Sequence, residues 1–377
     1  MPPKRKSRSR SSSTLLRQVG RLLIIGFDGT AMSTTLGALL GGVQPAGVIL
    51  FARNIAGAAQ TFELLKDCRA AVGSPLFACV DLEGGRVDRF RNVLGPAPSA
   101  AEVFATRDRK LFRKQGRIIG DSCRALGFNV DFAPSLDLAF EASRSIMSSR
   151  TVSEDPREVV LYAREFLAGL REARVAGAGK HFPGLGEGKL DSHHELPVIE
   201  KAWKPLWEQD LAPYRVLKNT LPFVMVSHAA YPKVTREASP ASLSKTWITE
   251  ILRKRIGYRG LIASDDLEMG GVLSAAPIEQ ATVEHIRAGG DLCLICHQEE
   301  GVVRSYEELI RTAEKDRKFA ARVAESARRV AAFKKRWRSL FGRQSAPSTT
   351  KVERLSRRLW EFTEEVRLAA ISQQGGA

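Results

Sequence analysis

The sequence predicts a single (β/α)8 barrel of the TIM type with a helical extension at its carboxyl end. Three observations predict it: eight short apolar runs, polar or charged residues closing each run, and amphipathic stretches of helical period between them. The runs are LLIIGFD (22–28), GVILFARN (47–54), LFACVDLEGG (76–85), FNVDFAP (128–134), AGAGKHFPG (176–184), FVMVSHAAY (223–231), LIASDDLEM (261–269) and DLCLICHQ (291–298). Near-continuous apolar runs of this length read as strands buried on both faces, the mark of a parallel sheet. Between them, Phe62–Leu65–Cys68–Ala71 and Val159–Tyr162–Phe166–Leu170 recur at helical steps, with Ser153 of SEDP expected as N-cap of the second helix. An open dinucleotide-binding sheet is disfavoured, because no G-x-G-x-x-G follows the first run. In a closed barrel all strand ends share one face. That face would gather Asp81, Glu83, Lys180, His181, His228, Asp265 and Asp266.

Either side of the repeats, the chain changes character. Residues 1–20 begin MPPKRKSRSRSSS and are expected as a basic, disordered tail, and residues 21–343 form the barrel domain. Within it, Phe319, Val323, Ala327, Val330 and Trp337 carry a helical stripe that should close the barrel. QSAPSTT (344–350) reads as a linker, and Val352, Leu355, Leu359, Phe362 and Val366 as an amphipathic helix packing on the barrel, so that 344–377 forms the extension.

The net charge of +16 over 377 residues comes largely from the two ends. Solvated tails and helix faces account for it. Nucleic acid is not expected as a partner, since no aromatic residues interleave with the charges as stacking platforms. No apolar run reaches 18 residues, so no membrane span is predicted. A signal peptide would need an unbroken apolar core, but Arg17, Gln18 and Arg21 interrupt LLRQVGRLLIIG. A cytoplasmic enzyme is expected. Five scattered cysteines agree with a reducing compartment, and Cys293 and Cys296, three apart on a strand, point to opposite faces and cannot share a metal.

The richest segment is KHFPGLGEGKLDSHHELP (180–197). Lys180 and His181 end the fifth run, and a loop with Gly184, Gly186 and Gly188 then delivers Asp191 and His193. A carboxylate two residues from an imidazole can orient the ring and favour its charged form, which suits proton transfer near neutral pH. His181, Asp191, His193, His194 and Glu195 also admit a metal reading, although no H-x-H or H-E-x-x-H spacing occurs. A metal-dependent barrel hydrolase is therefore the alternative. Asp265 and Asp266 end the seventh run, where one should face the mouth as a nucleophile and the other pack nearby; spacing does not say which. In VDLEGGRVDRFRN (80–92), Asp81, Glu83, Arg86, Arg89 and Arg91 offer the carboxylates and guanidinium forks that sugar hydroxyls require, about half of them expected to be structural.

Together GVILFARN, DLEGGRVDRF, VDFAPSLDL, GKHFPGLG, DSHHELP and ASDDLEMGG, in this order over about residues 20–300, resemble glycoside hydrolase family 3, and within it the bacterial β-N-acetylglucosaminidases of peptidoglycan recycling. The resemblance implies a retaining mechanism with Asp265 as nucleophile, His193 as general acid/base and Asp191 as its partner. It further implies that Asp81, Arg89, Arg150, Lys180 and His181 hold an N-acetylglucosamine ring, Arg150 through the looser match SSRTVSEDP. The implied substrate is a small carbohydrate, a GlcNAc–anhydromuramic acid muropeptide. Hydrolysis is expected, with phosphate as an alternative acceptor. No cofactor and no metal are expected, and a monomer is favoured. One departure stands out: the family's PGHG reads PGLG here, so Leu185 should alter loop packing. The basic amino-terminal segment and the terminal helix have no counterpart in the resemblance.

Overall fold

The computed structural model describes residues 5–188, 190 and 195–374. Eight parallel strands close a barrel: β1 (Leu23–Ile25), β2 (Gly47–Ile49), β3 (Phe77–Val80), β4 (Val130–Asp131), β5 (Ala176–Phe182), β6 (Phe223–Val226), β7 (Leu261–Asp266) and β8 (Leu292–Ile295). Each pairs with its sequence neighbours, and β1 closes the ring on β8 with Leu23 opposite Cys293. The expected fold class is the observed one.

Side-chain alternation explains why the runs are apolar throughout. One set of alternate residues, including Ile24, Ile49, Phe77, Cys79, Val130, Ala176, Ala178, Phe223, Met225, Leu261, Ala263 and Leu294, fills the barrel interior. The other set, including Leu23, Ile25, Val48, Ala78, Val80 and Ile295, packs outward against the helices. Both faces are dry, so neither can carry polar residues until the strand ends. Cys293 joins the outward layer and Cys296 the interior, as alternation requires, and burial raises both thiols.

The amino-terminal end of the barrel is plugged. Helix Arg317–Arg336 delivers Val330 and Phe333 into the interior cluster, joined by Leu340 from the following turn. Trp337 stacks on Phe333 with centroids 5.5 Å apart. Helix Thr349–Gln374 then runs back to pack on helices Ala100–Ala105 and Arg109–Leu126. Leu355, Leu359, Phe362 and Val366 are buried there, as their spacing predicts, and Arg358 pairs with Asp121 at 3.1 Å. The helix takes in Thr349 and Thr350, the last two residues of the expected linker.

Two local expectations differ. Where a disordered tail is expected, the structure has a helix over Arg5–Gly20. Leu15 and Val19, four apart, pack its last turn on the core, and that apolar pair outweighs the preceding charge. The helix Pro156–Glu172 is capped by Asp155, not Ser153. Pro156 occupies the first helical position and holds the residue before it in extended backbone, the N-cap geometry, so Asp155 accepts from Arg157 N–H at 2.8 Å. Ser153 instead donates its hydroxyl to Glu158.

Truncating the best-buried anchor of the terminal helix tests its share in stability. Phe362→Ala should lower the unfolding free energy by about 3–5 kcal/mol, read from denaturant midpoints. A change under about 1 kcal/mol would mean that the helix rests on the barrel without supporting it.

Candidate active site

At the carboxyl ends of the strands, a cleft is lined by Asp81, Arg89, Arg150, Lys180, His181, Asp265 and Asp266. All five residues expected to hold a sugar ring, and both candidate nucleophiles, therefore meet at one mouth. Asp191 and His193 lie outside the described residues, as does His194.

The wall of the cleft is built on a buried ammonium. Lys180, 2% exposed, places Nζ 2.8 Å from Asp81 Oδ1 and 2.7 Å from Glu83 Oε1. Burial alone would lower this amine, but the two carboxylates hold it above the usual lysine value. Glu83 also accepts a bidentate pair from Arg150, at 2.9 and 2.8 Å. Burial pushes the Glu83 carboxyl up, yet Arg150 and Lys180 outweigh it and hold it far below the ordinary range. Below them lies Asp131, fully buried, accepting Leu82 N–H at 2.9 Å; burial pushes its carboxyl well up.

The turn that carries these groups depends on glycine. Glu83 is followed by Gly84 at φ +82°, where a Cβ would sit 2.2 Å from the Pro98 carbonyl oxygen. Asp88 then secures the returning strand by accepting from Phe90 and Ala97 N–H. Arg89, between them, lays its guanidinium 5.6 Å from the Phe51 ring centre, and its buried Nε has no hydrogen-bond partner among the described residues.

His181 is fixed from both sides. Its Nδ1 lies 2.7 Å from Asp137 Oδ2 and its Nε2 3.2 Å from an Arg150 nitrogen, which donates to it. Since a carboxylate only accepts, Nδ1 carries the proton. Asp137 is fully buried and accepts in addition from Ser135 Oγ and from the backbone N–H of His181 and Leu185. Burial raises Asp137, but His181 and these donors bring it below its usual value. Leu185, the departure from the family motif, is buried in the cluster around Leu138 and Phe182 and borders the cleft. The same loop is held where Tyr231 Oη donates to Gly184 O at 2.7 Å, and where Lys201 lies 3.1 Å from Glu187 and 2.8 Å from Asp210.

The two adjacent aspartates have different surroundings. Asp266 is fastened: Oδ1 accepts Glu268 N–H, Oδ2 lies 3.2 Å from His297 Nε2, and its carbonyl accepts His228 Nε2–H at 2.8 Å. Asp265 receives one bond, from Asp266 N–H to Oδ1 at 2.9 Å, and Oδ2 has no partner among the described residues. Burial would raise Asp265, but His181 and His228 chiefly overrule it, and the carboxyl sits below its usual range. Its carboxylate thus keeps one oxygen uncommitted among the described residues.

Sequence reasoning missed Asp137 and His297 and left His228 without a role. His228 ends the sixth run, so its position was visible. His297 lies near the end of the eighth, and only the neighbouring of β7 and β8 brings it to Asp266.

Glu83 should dominate the acid stability of this end of the barrel. Its folded value is depressed, so its contribution is complete above the ordinary glutamate range and is lost as pH falls below it. Glu83→Gln should cost about 3–5 kcal/mol at neutral pH, because Lys180 and Arg150 stay buried with too little compensation. The loss should shrink on acidification, measured by denaturant unfolding across pH. A pH-independent loss would assign Glu83 a packing role only.

Comparisons with known proteins identify the family. The model of the glycosyl hydrolase family 3 N terminal domain matches residues 14–333. A β-hexosaminidase of Bordetella avium is 39% identical over 260 residues, 67% of this chain and 73% of that protein. One from Haemophilus influenzae is 35% identical over 331 residues, 85% of this chain and 92% of that protein. Among solved structures, a glycoside hydrolase family 3 β-N-acetylglucosaminidase from Paenibacillus superposes with TM-score 0.86 at 31% identity, covering 92% of this chain and 68% of that one. A β-N-acetylhexosaminidase from Beutenbergia cavernae gives 0.78 at 25% identity, covering 85% and 98%. With the family model spanning most of its length and the barrel carrying the expected mouth, the chain belongs to glycoside hydrolase family 3.

Proposed function

We propose that this family 3 glycoside hydrolase is a retaining exo-β-N-acetylglucosaminidase that releases GlcNAc from GlcNAc–anhydromuramic acid muropeptides, acting as a cytoplasmic monomer. The β-hexosaminidase relatives and the Paenibacillus β-N-acetylglucosaminidase support the glycosidic specificity. The observation that carries the reading is Asp265, an ionised carboxylate with an uncommitted oxygen, set across one cleft from Asp81, Arg89, Arg150, Lys180 and His181.

In the first step an Asp265 oxygen attacks the anomeric carbon. The bond to the leaving oxygen breaks, and that oxygen takes a proton from the His193 imidazolium. In the second step His193, now neutral, removes a proton from water. The hydroxide oxygen displaces Asp265, and N-acetylglucosamine leaves with its configuration retained. Asp191 holds the His193 ring in the tautomer this exchange needs. Lys180 and Arg150, paired with Asp81 and Glu83, position the sugar hydroxyls as oriented donors instead of free charges. Asp266, bound to His297 and Glu268 N–H, is a poor nucleophile by comparison.

A fluorinated N-acetyl sugar should trap a glycosyl ester on the peptide containing Asp265; label on Asp266, or none, would overturn the assignment. Hydrolysis of p-nitrophenyl N-acetylglucosaminide should survive EDTA, and its loss would favour the metal-dependent alternative. His193→Ala should lower kcat about 10²–10⁴-fold on muropeptide and much less on the nitrophenyl substrate, whose leaving group needs no proton. An equal loss on both would remove His193 from proton transfer. Assays in phosphate buffer should give free sugar; a sugar 1-phosphate product would make phosphate the acceptor.

A further inference from the structure

The end of the barrel opposite the mouth carries positive charge that the catalytic reading does not use. Two cavities open there, on either side of the Trp337–Phe341 plug. One lies between the starts of β3 and β4 and the turn Leu340–Gln344, lined by Arg69 and Arg343. The other lies between the starts of β5 and β6 and the end of helix Arg317–Arg336, lined by Arg164, Arg171 and Arg336. None of these five arginines has a carboxylate within ion-pair distance among the described residues. Nearby carboxylates are already engaged: Glu63 with Lys66, and Asp291 and Glu325 with Arg253, Arg322 and Arg329.

Burial, with Arg69 and Arg174 close by, lowers Arg124 to about 10, and burial with Arg21 lowers Lys334 to about 7. The segment Lys334–Arg343 turns its apolar residues inward: Trp337 lies on Phe333, Leu340 is buried, and Phe341 packs near Phe77. Its cations Lys335, Arg336, Arg338 and Arg343 are left exposed.

We propose that this amino-terminal face of the barrel is a docking surface for the headgroups of anionic phospholipids, holding the protein on a membrane with its cleft turned toward solvent. The charges come from separate segments around the barrel base, so they spread in two dimensions. A plane of phosphates matches that spread, whereas one nucleic-acid backbone would call for a linear track. Arginine forks suit phosphodiester oxygens. With Leu340 buried and Trp337 and Phe341 partly buried against the core, attachment rests on the cations and is electrostatic, reversible and screened by salt. No described helix is long and apolar enough to cross a bilayer, so the contact is peripheral.

The test is co-sedimentation of the full chain with vesicles of phosphatidylcholine alone or with roughly a third phosphatidylglycerol. Binding is expected to the second only, and to be released by salt. Combined reversal R336E/R338E/R343E should weaken it at least about tenfold while hydrolysis of p-nitrophenyl N-acetylglucosaminide is unchanged. Should that variant fail to fold, R164Q/R171Q on the other cavity should weaken binding in the same direction. Absence of binding to the anionic vesicles, or wild-type binding by a folded variant, would overturn the proposal. So would tighter retention on a single-stranded oligonucleotide than on vesicles at equal salt, which would assign the face to nucleic acid.

Discussion

The buried ammonium of Lys180 is the constraint from which the rest of the mouth follows. An amine enclosed at the end of a barrel strand is tolerable only if carboxylates meet it, and two do, Asp81 and Glu83. Glu83 then requires its own counter-charge, supplied by the fork of Arg150. Arg150 reaches the far nitrogen of His181, whose near nitrogen is held by Asp137, and Asp137 also takes the N–H of Leu185. One continuous run of charge-assisted contacts thus links the third strand to the foot of the glycine loop. Removing any member leaves a neighbour buried without its complement.

The same logic separates two chemically identical neighbours. Asp265 and Asp266 leave one strand side by side, yet Asp266 is fully employed by His297, His228 and a backbone amide, while Asp265 keeps an oxygen in reserve. Its neighbours, His181 and His228 first, hold the Asp265 carboxyl below its usual range despite its burial. Environment, not residue type, divides the roles.

The barrel was legible in the sequence because every strand is dry on both faces and must turn polar where it ends. For the same reason Asp81, Lys180, His181 and Asp265 could be placed together: each closes an apolar run. Asp137 escaped because its work is to hold another side chain from a loop after β4, the shortest strand, and nothing local marks it. His297 escaped because its partner is a strand away in space. Charge misdirected the reading of Arg5–Gly20, where Leu15 and Val19 matter more than the basic residues before them. The cap expected at Ser153 fell to Asp155 because the fixed ring of Pro156 sets the backbone of the residue before it. The roles given to Asp191 and His193 rest on the family resemblance.

Closure of the ring has a consequence for biosynthesis. Leu23–Ile25 leave the ribosome well before Leu292–Ile295, the strand that completes their pairing. The helices Ala100–Ala105 and Arg109–Leu126 wait longer still, for the cover supplied by Thr349–Gln374. A chain that has not reached Leu292 displays an open strand edge, and one that has not reached Thr349 an uncovered apolar helix face, both adhesive toward other chains. Such fragments are natural clients for chaperones and proteases.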